Sequence, residues 1–165
     1  MKIVDMNIIS KFCAGEIQVD FSDHVYLTAE LKDEIEIHKA SFPGHRVKID
    51  RIKRVDVESY KYPDGECFDA VRYLFHYKNL INKYAKITSF YGMKGLGDVS
   101  ILAVVATVLG RGNPSLFDTQ EIIEVVTHDN GLKKALKEEF GDRIIIHDPL
   151  EPNNKTTLSS GSTLS

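Results

Sequence analysis

Residues 2–15 read KIVDMNIISKFCAG. Lys2 to Val4 reads as a short buried strand that ends at Asp5. Asn7 to Ala14 then reads as a helix, and Gly15 stops it. The strand passes almost directly into the helix, with an acid at the junction. That unit recurs along the chain. Val25–Leu27 is a second strand. Thr28 is a helix N-cap, and the helix runs to about Lys39 with Leu31, Ile35 and His38 on one face at i, i+4, i+7. Pro43-Gly44 breaks it. Further on, Ile122–Thr127 reads as a strand, Gly131–Phe140 as an amphipathic helix stopped by Gly141, and Arg143–Ile146 as a last strand. Strand and helix alternate, which predicts an α/β three-layer sandwich: a central parallel sheet with helices on both faces.

The intervening stretches are less regular. Val47 and Ile49, then Val55 and Val57, alternate with polar residues, which fits a hairpin or an irregular extended insertion. Pro63-Asp64-Gly65 is a turn, and Glu66 to about Tyr84 reads as one long or two short helices. Gly92–Gly97 holds three glycines and reads as a loop. Asp98 opens the most apolar helix, Val99–Leu109, which is apolar nearly all round and is therefore expected to be buried. Gly110–Pro114 ends it. The tail from Glu151 is rich in Ser, Thr, Asn and Gly without periodicity and is expected to be disordered. One domain over 1–148, with an atypical segment at about 41–90 and a tail at 149–165, is the expected organisation.

Composition sets outer bounds. With 165 residues, 42% hydrophobic and 27% charged, the chain can bury a core without disulfides or a structural metal. Its two cysteines, Cys13 and Cys67, form no CxxC pair and fit a reducing compartment. The amino-terminal apolar run is short and interrupted by Asp5, so no signal peptide is expected. The apolar stretch 99–109 is too short for a bilayer span of roughly 20 residues. A cytoplasmic protein with no membrane partner is the expectation. A net charge of −3 argues against a protein that coats nucleic acid. It leaves room for a nuclease, whose metal-binding acids lower the net charge.

Ligands of an open parallel sheet bind outside the carboxyl ends of its strands. Asp5 falls at the end of the first strand. Asp129 lies two residues beyond the Ile122–Thr127 strand, Asp98 opens a helix after the glycine loop, and Glu34 sits in the second turn of the helix after Val25–Leu27. All four can face one edge, with Asp148 a fifth candidate. Packed carboxylates repel and tend to protonate. A hard dication with oxygen ligands relieves this, and Mg²⁺ takes only one or two carboxylates directly, the rest acting through water. Such a site suits phosphodiester hydrolysis. Each acid also has a plainer reading. Asp5 and Asp129 precede helices, where Asp is a favoured N-cap. Asp98 suits the positive end of a helix dipole. Glu34 shares its helix with Glu30, Asp33 and Glu36, a pattern common on solvated faces.

Arg46, Lys48, Arg51, Lys53 and Arg54 form a basic run broken only by Asp50 among acids. It reads either as a solvated edge strand or as an arm that contacts RNA phosphates. Lys94 in the glycine loop is open to the same two readings. The six histidines show no metal-ligand spacing; His128 is a loop residue near the acids, not a ligand.

Three segments, IVDMNIIS at 3–10, GDVSILAVVATVL at 97–109 and VVTHDNGLKKAL at 125–136, together resemble the PIN-domain family. Its members begin with a strand ending D-x-N/S, matched by Asp5 and Asn7. A later helix begins with an Asp in an apolar context, matched by Asp98. A strand then ends T/S-x-D, matched by Thr127 and Asp129. The family's second acid is a Glu on the helix after the second strand, where Glu34 fits better than Glu30. The resemblance covers roughly 1–40 and 90–148. It implies about five parallel strands, one Mg²⁺ or Mn²⁺ site and metal-dependent cleavage of RNA. In that reading Asp5, Asp98 and Asp129 hold metal, Glu34 completes the catalytic set, and Asn7 and Thr127 orient the carboxylates. Many members are toxins paired with an antitoxin and others process RNA, so an antitoxin, another protein or a second copy in a homodimer are candidate partners. Some members are catalytically silent binding modules. A haloacid-dehalogenase-type phosphatase also begins with a strand and an Asp, but its D-x-D would need an acid where this chain has Asn7.

Overall fold

The structure, a computed structural model, describes residues 1–84, 95–111 and 122–151. Lys94, half of the expected glycine loop and nearly all of the expected tail lie outside them. Five parallel strands form one sheet: β1 (Lys2–Val4), β2 (Val25–Leu27), β3 (Arg54–Asp56), β4 (Glu124–Val126) and β5 (Ile145–His147), in the order β3-β2-β1-β4-β5. Among the described residues six helices flank it: α1 (Met6–Ala14), α2 (Ala29–Ser41), α3 (Arg46–Asp50), α4 (Ala70–Lys83), α5 (Leu96–Leu109) and α6 (Asn130–Phe140). This is the three-layer α/β sandwich that the alternating pattern predicts. Among the described residues no helix is long and apolar enough to cross a membrane.

Local chemistry explains the element ends. Gly15 adopts a left-handed φ of 79° at the end of α1, and the amides of Gly15 and Glu16 return to Phe12 and Lys11, closing the helix as a left-handed glycine terminus does. Thr28 caps α2 by accepting from the Leu31 amide at 3.2 Å. α5 is buried nearly all round, and its polar members Ser100 and Thr107 satisfy their hydroxyls on Gly97 and Ala103 carbonyls. Its first turn starts at Leu96, after Gly95 at φ 101°, so Asp98 lies within that turn and does not open it. β4 spans less than the expected 122–127, and β5 is shifted by one to two residues from the expected 143–146.

The stretch 47–57 is not a hairpin. Its first half is α3, whose Ile49, with Ile52 three residues on, is buried, while Val47 is exposed. Its second half is β3, which pairs in parallel with β2 through Val25–Arg54, Tyr26–Val55 and Leu27–Asp56. The apparent two-residue period came from one helical turn followed by a strand with a single apolar residue. The segment 41–90 is thus no appendage within its described part: it supplies an edge strand of the sheet and α4, which packs extensively on α5. α4 itself begins only at Ala70, capped by Asp69. Residues before it form a short antiparallel bridge, Lys61 to Cys67, around the expected Pro63-Asp64-Gly65 turn.

Candidate functional site

Strand order reverses at β1, whose neighbours are β2 on one side and β4 on the other. A crevice outside the carboxyl ends of the strands at such a switch point is where open sheets bind ligands. Asp5 and Asp129 stand there. The Asp5 amide is tied to Val126 O at 3.0 Å, so the turn after β1 is stitched to the end of β4.

Asp5 occupies the N-cap position of α1, yet its side chain makes no capping hydrogen bond. It is buried, 5% exposed, and accepts instead from Thr127 Oγ1 at 2.7 Å. Burial raises its carboxyl above the usual range. The Thr127 hydroxyl and the Asn7 and Met6 amides pull it down, while the charge of Asp129 pushes it up. Thr127 serves both acids: its hydroxyl also accepts from the Asp129 amide at 3.0 Å. Asp129 is a genuine N-cap, accepting from Leu132 N at 2.8 Å through Oδ1. Asn7 Oδ1 meets the His128 amide at 3.5 Å, linking α1 to the turn after β4.

Asp98 projects from the first turn of α5. Burial, then the charges of Asp5, Asp129 and Glu34, push its carboxyl up to about 8. Glu34 comes from α2. Burial first, then the charge of Asp5, raises it, while the Gly97 amide lowers it. Its carboxylate lies against Gly97 so closely that a Cβ there would stand 2.8 Å from Oε1. A side chain at 97 would push the Glu34 carboxylate out of this position. Glu30, one turn earlier, is engaged by the Tyr73 hydroxyl of α4 at 3.2 Å. The electrostatics therefore join all four expected acids, each carried by a different helix or its N-cap, and of the two glutamates it is Glu34 that acts on Asp98.

Two of the sequence's candidates stand apart from these four acids. Asp148 does not join the cluster. Burial would raise it, but hydrogen bonds from Lys133, the Leu150 amide and His128 hold it at about 2, with Lys133 Nζ at 2.6 Å and His128 Nδ1 at 3.0 Å. The basic run is not gathered with the acids either. Arg54 pairs with Val25 at the start of β2, and Lys53 O accepts from Val25 N, so residues 51–54 lie at the amino edge of the sheet. Lys48 donates to Cys13 O near the end of α1. α2 separates Arg46 from the carboxyl edge by its 13 residues, about 20 Å of helix. Of the two readings of the run, the solvated edge is the one this position suits: Arg46, Arg51 and Lys53 are exposed, and Arg54 faces Asp50 at 3.8 Å.

One feature had no signal in the sequence. Thr28 Oγ1 and Ser100 Oγ, 72 residues apart, lie 2.6 Å from each other in a fully buried contact between α2 and α5.

All four acids offer hard oxygen donors. Among the described residues no Lys or Arg is paired with any of them, so none of those residues supplies a cation that neutralises their mutual repulsion. This donor chemistry fits a divalent cation carried with part of its water shell. The described residues nevertheless hold no group of three His, Cys, Asp or Glu side chains drawn together as a ready ligand set. In comparisons with known proteins the chain matches no family model, no curated protein and no solved structure.

Proposed function

We propose that this chain is a metal-dependent endoribonuclease of PIN-like type. The observation that carries the reading is the convergence of Asp5, Glu34, Asp98 and Asp129 at the carboxyl edge, where burial and then the charges of the other three push the Asp98 carboxyl up to about 8. Asp5, Asp98 and Asp129 would hold Mg²⁺ or Mn²⁺, directly or through water. The bound ion would neutralise the scissile phosphate and acidify an attacking water. Glu34, raised by burial, accepts the proton of that water as general base. Thr127 donates to Asp5 and so fixes which Asp5 oxygen lone pairs remain for the site. Asn7 steadies the turn carrying Asp129. The basic run at the opposite edge takes no part in contacts close to the cut.

The test is a Mn²⁺ titration with cleavage of a mixed RNA pool by wild type and Asp98→Asn. Manganese-dependent cleavage that is lost in the variant supports the enzyme. No cleavage by either protein, with no heat of metal binding in calorimetry, sinks it. A second reading, a catalytically silent PIN-like module that binds RNA or a protein, is favoured by the lack of a ready ligand set among the described residues. It predicts that last outcome together with retained RNA or protein binding.

A further inference from the structure

We propose that the buried Thr28–Ser100 hydroxyl pair is a positioning element of the acidic site, holding Glu34 in register against Gly97. The inference rests on the metal-site reading above and deepens it.

The hydrogen-bond directions are determined by their ends. The Leu31 amide donates to Thr28 Oγ1, so the Thr28 proton is available for Ser100 Oγ at 2.6 Å. Ser100 in turn donates to Gly97 O at 2.7 Å. A continuous chain of three hydrogen bonds thus runs from the first turn of α2 to the first turn of α5. Both hydroxyls are essentially inaccessible, 1% exposed at Thr28 and 0% at Ser100. The chain ends on Gly97, the residue against which the Glu34 carboxylate rests. Glu34 itself lies less than two turns from Thr28 along α2.

Capping α2 does not need Ser100, because the cap uses only the acceptor side of Thr28. Burial does not need it either, since every neighbouring inward position of α5 is apolar. What two hydroxyls add to an apolar contact is direction. They fix how far α2 slides and rotates against α5, as a buried polar contact sets register between packed helices. The register they fix is the one at which the Glu34 carboxylate meets Gly97 and faces Asp98.

The experiment measures Mn²⁺ affinity of the full chain by calorimetry, so that it does not depend on cleavage. Ser100→Ala and Thr28→Val are each made in wild type and in Glu34→Gln. In wild type both should weaken Mn²⁺ binding by about 10-fold, the low end for groups that orient metal ligands. Thr28→Ser, which keeps cap and pair, should restore it. In Glu34→Gln the same two changes should cost nothing further. Equal losses in both backgrounds, or unchanged affinity in a folded Ser100→Ala, overturn the inference while the metal site stands. If wild type binds no Mn²⁺, the metal reading falls and takes the inference with it. Near-UV circular dichroism checks folding. Should Ser100→Ala not fold, Thr28→Val and Thr28→Ser carry the same comparison; if Thr28→Val also fails to fold, the pair is a fold element only and the inference is overturned.

Discussion

Changing Asp98 to Asn keeps the side chain's shape and removes its ability to ionise. In the metal-free fold burial, and then the charges of Asp5, Asp129 and Glu34, push the Asp98 carboxyl up to about 8, against 3.8 in an unfolded chain. A raised carboxyl value means that the native state holds the proton more tightly than the unfolded state. Wild-type stability is therefore complete below about pH 4 and falls as the pH climbs towards 8. At pH 7 the unfolded carboxyl is ionised while the native one is mostly protonated. At 1.36 kcal/mol per pH unit the native state is then about 4 kcal/mol less stable than if Asp98 were neutral in both states. Asn is neutral in both. Exchanging a carboxyl for a buried amide gives back about 1–2 kcal/mol. Asp98→Asn should therefore stabilise the protein at pH 7 by about 2–3 kcal/mol, which for a chain of this size raises Tm by roughly 4–12 °C.

The assay is urea unfolding in EDTA from pH 4 to pH 8, followed by circular dichroism. The difference between variant and wild type should be near zero or slightly unfavourable at pH 4 and grow steadily to pH 8. Mn²⁺ at one thousand times Kd should then reverse the order, because only wild type gains binding free energy, about 4.1 kcal/mol. A variant no more stable than wild type at pH 8, or a difference independent of pH, would refute the argument that Asp98 is buried among like charges.

Gly97→Ala places a methyl group where the Glu34 carboxylate lies; it should lower Mn²⁺ affinity as far as Glu34→Gln does, and adding it to Glu34→Gln should change little. Thr127→Val leaves Asp5 without its 2.7 Å donor and should destabilise the fold by about 1–3 kcal/mol in chemical unfolding, with weaker Mn²⁺ binding in calorimetry. Asp148 is held at about 2 by Lys133, the Leu150 amide and His128 against the cost of its burial. Its lowered value contributes stability above pH 4 that is lost as the pH falls through 2, so Asp148→Asn should cost about 2 kcal/mol at pH 7 and almost nothing near pH 2. Replacing Arg46, Arg51 and Lys53 together with Ala should leave Mn²⁺ affinity and the cleavage of a short RNA oligonucleotide unchanged, since these residues stand at the other edge of the sheet.

The legible parts of the chain are those where short-range pattern and long-range burial agree. β1 and β2 are short runs, apolar but for Lys2, bounded by Asp5 and Thr28, and they lie where the sequence suggests. The acids at strand ends follow from the same reading, because a strand end in a parallel sheet is also an edge position. β3 was hidden because it carries a single apolar residue, Val55, between Arg54 and Asp56; its place comes from pairing with β2, which no local period reveals. The basic run misled for a related reason. A run of charge has no direction in sequence, and the length of α2 is what carries it to the amino edge. Glu34 and Glu30 have nearly the same local context, and what separates them is Tyr73, 43 residues away from Glu30. The Thr28–Ser100 contact is equally non-local, one residue looking like a cap and the other like a stray polar residue in a greasy helix.

The central pairing of the sheet joins Lys2, Ile3 and Val4 to Glu124, Val125 and Val126. Loop closure on that scale is slow and comes late in folding. During synthesis, which proceeds from the amino terminus, Asp5 is made long before Thr127 and Asp129 and cannot meet either until nearly the whole domain has left the ribosome. A nascent or truncated chain therefore carries only half of the acidic edge. The assembled cluster is a property of the finished domain alone, and the centre of its sheet works as a check on completeness before any chemistry begins.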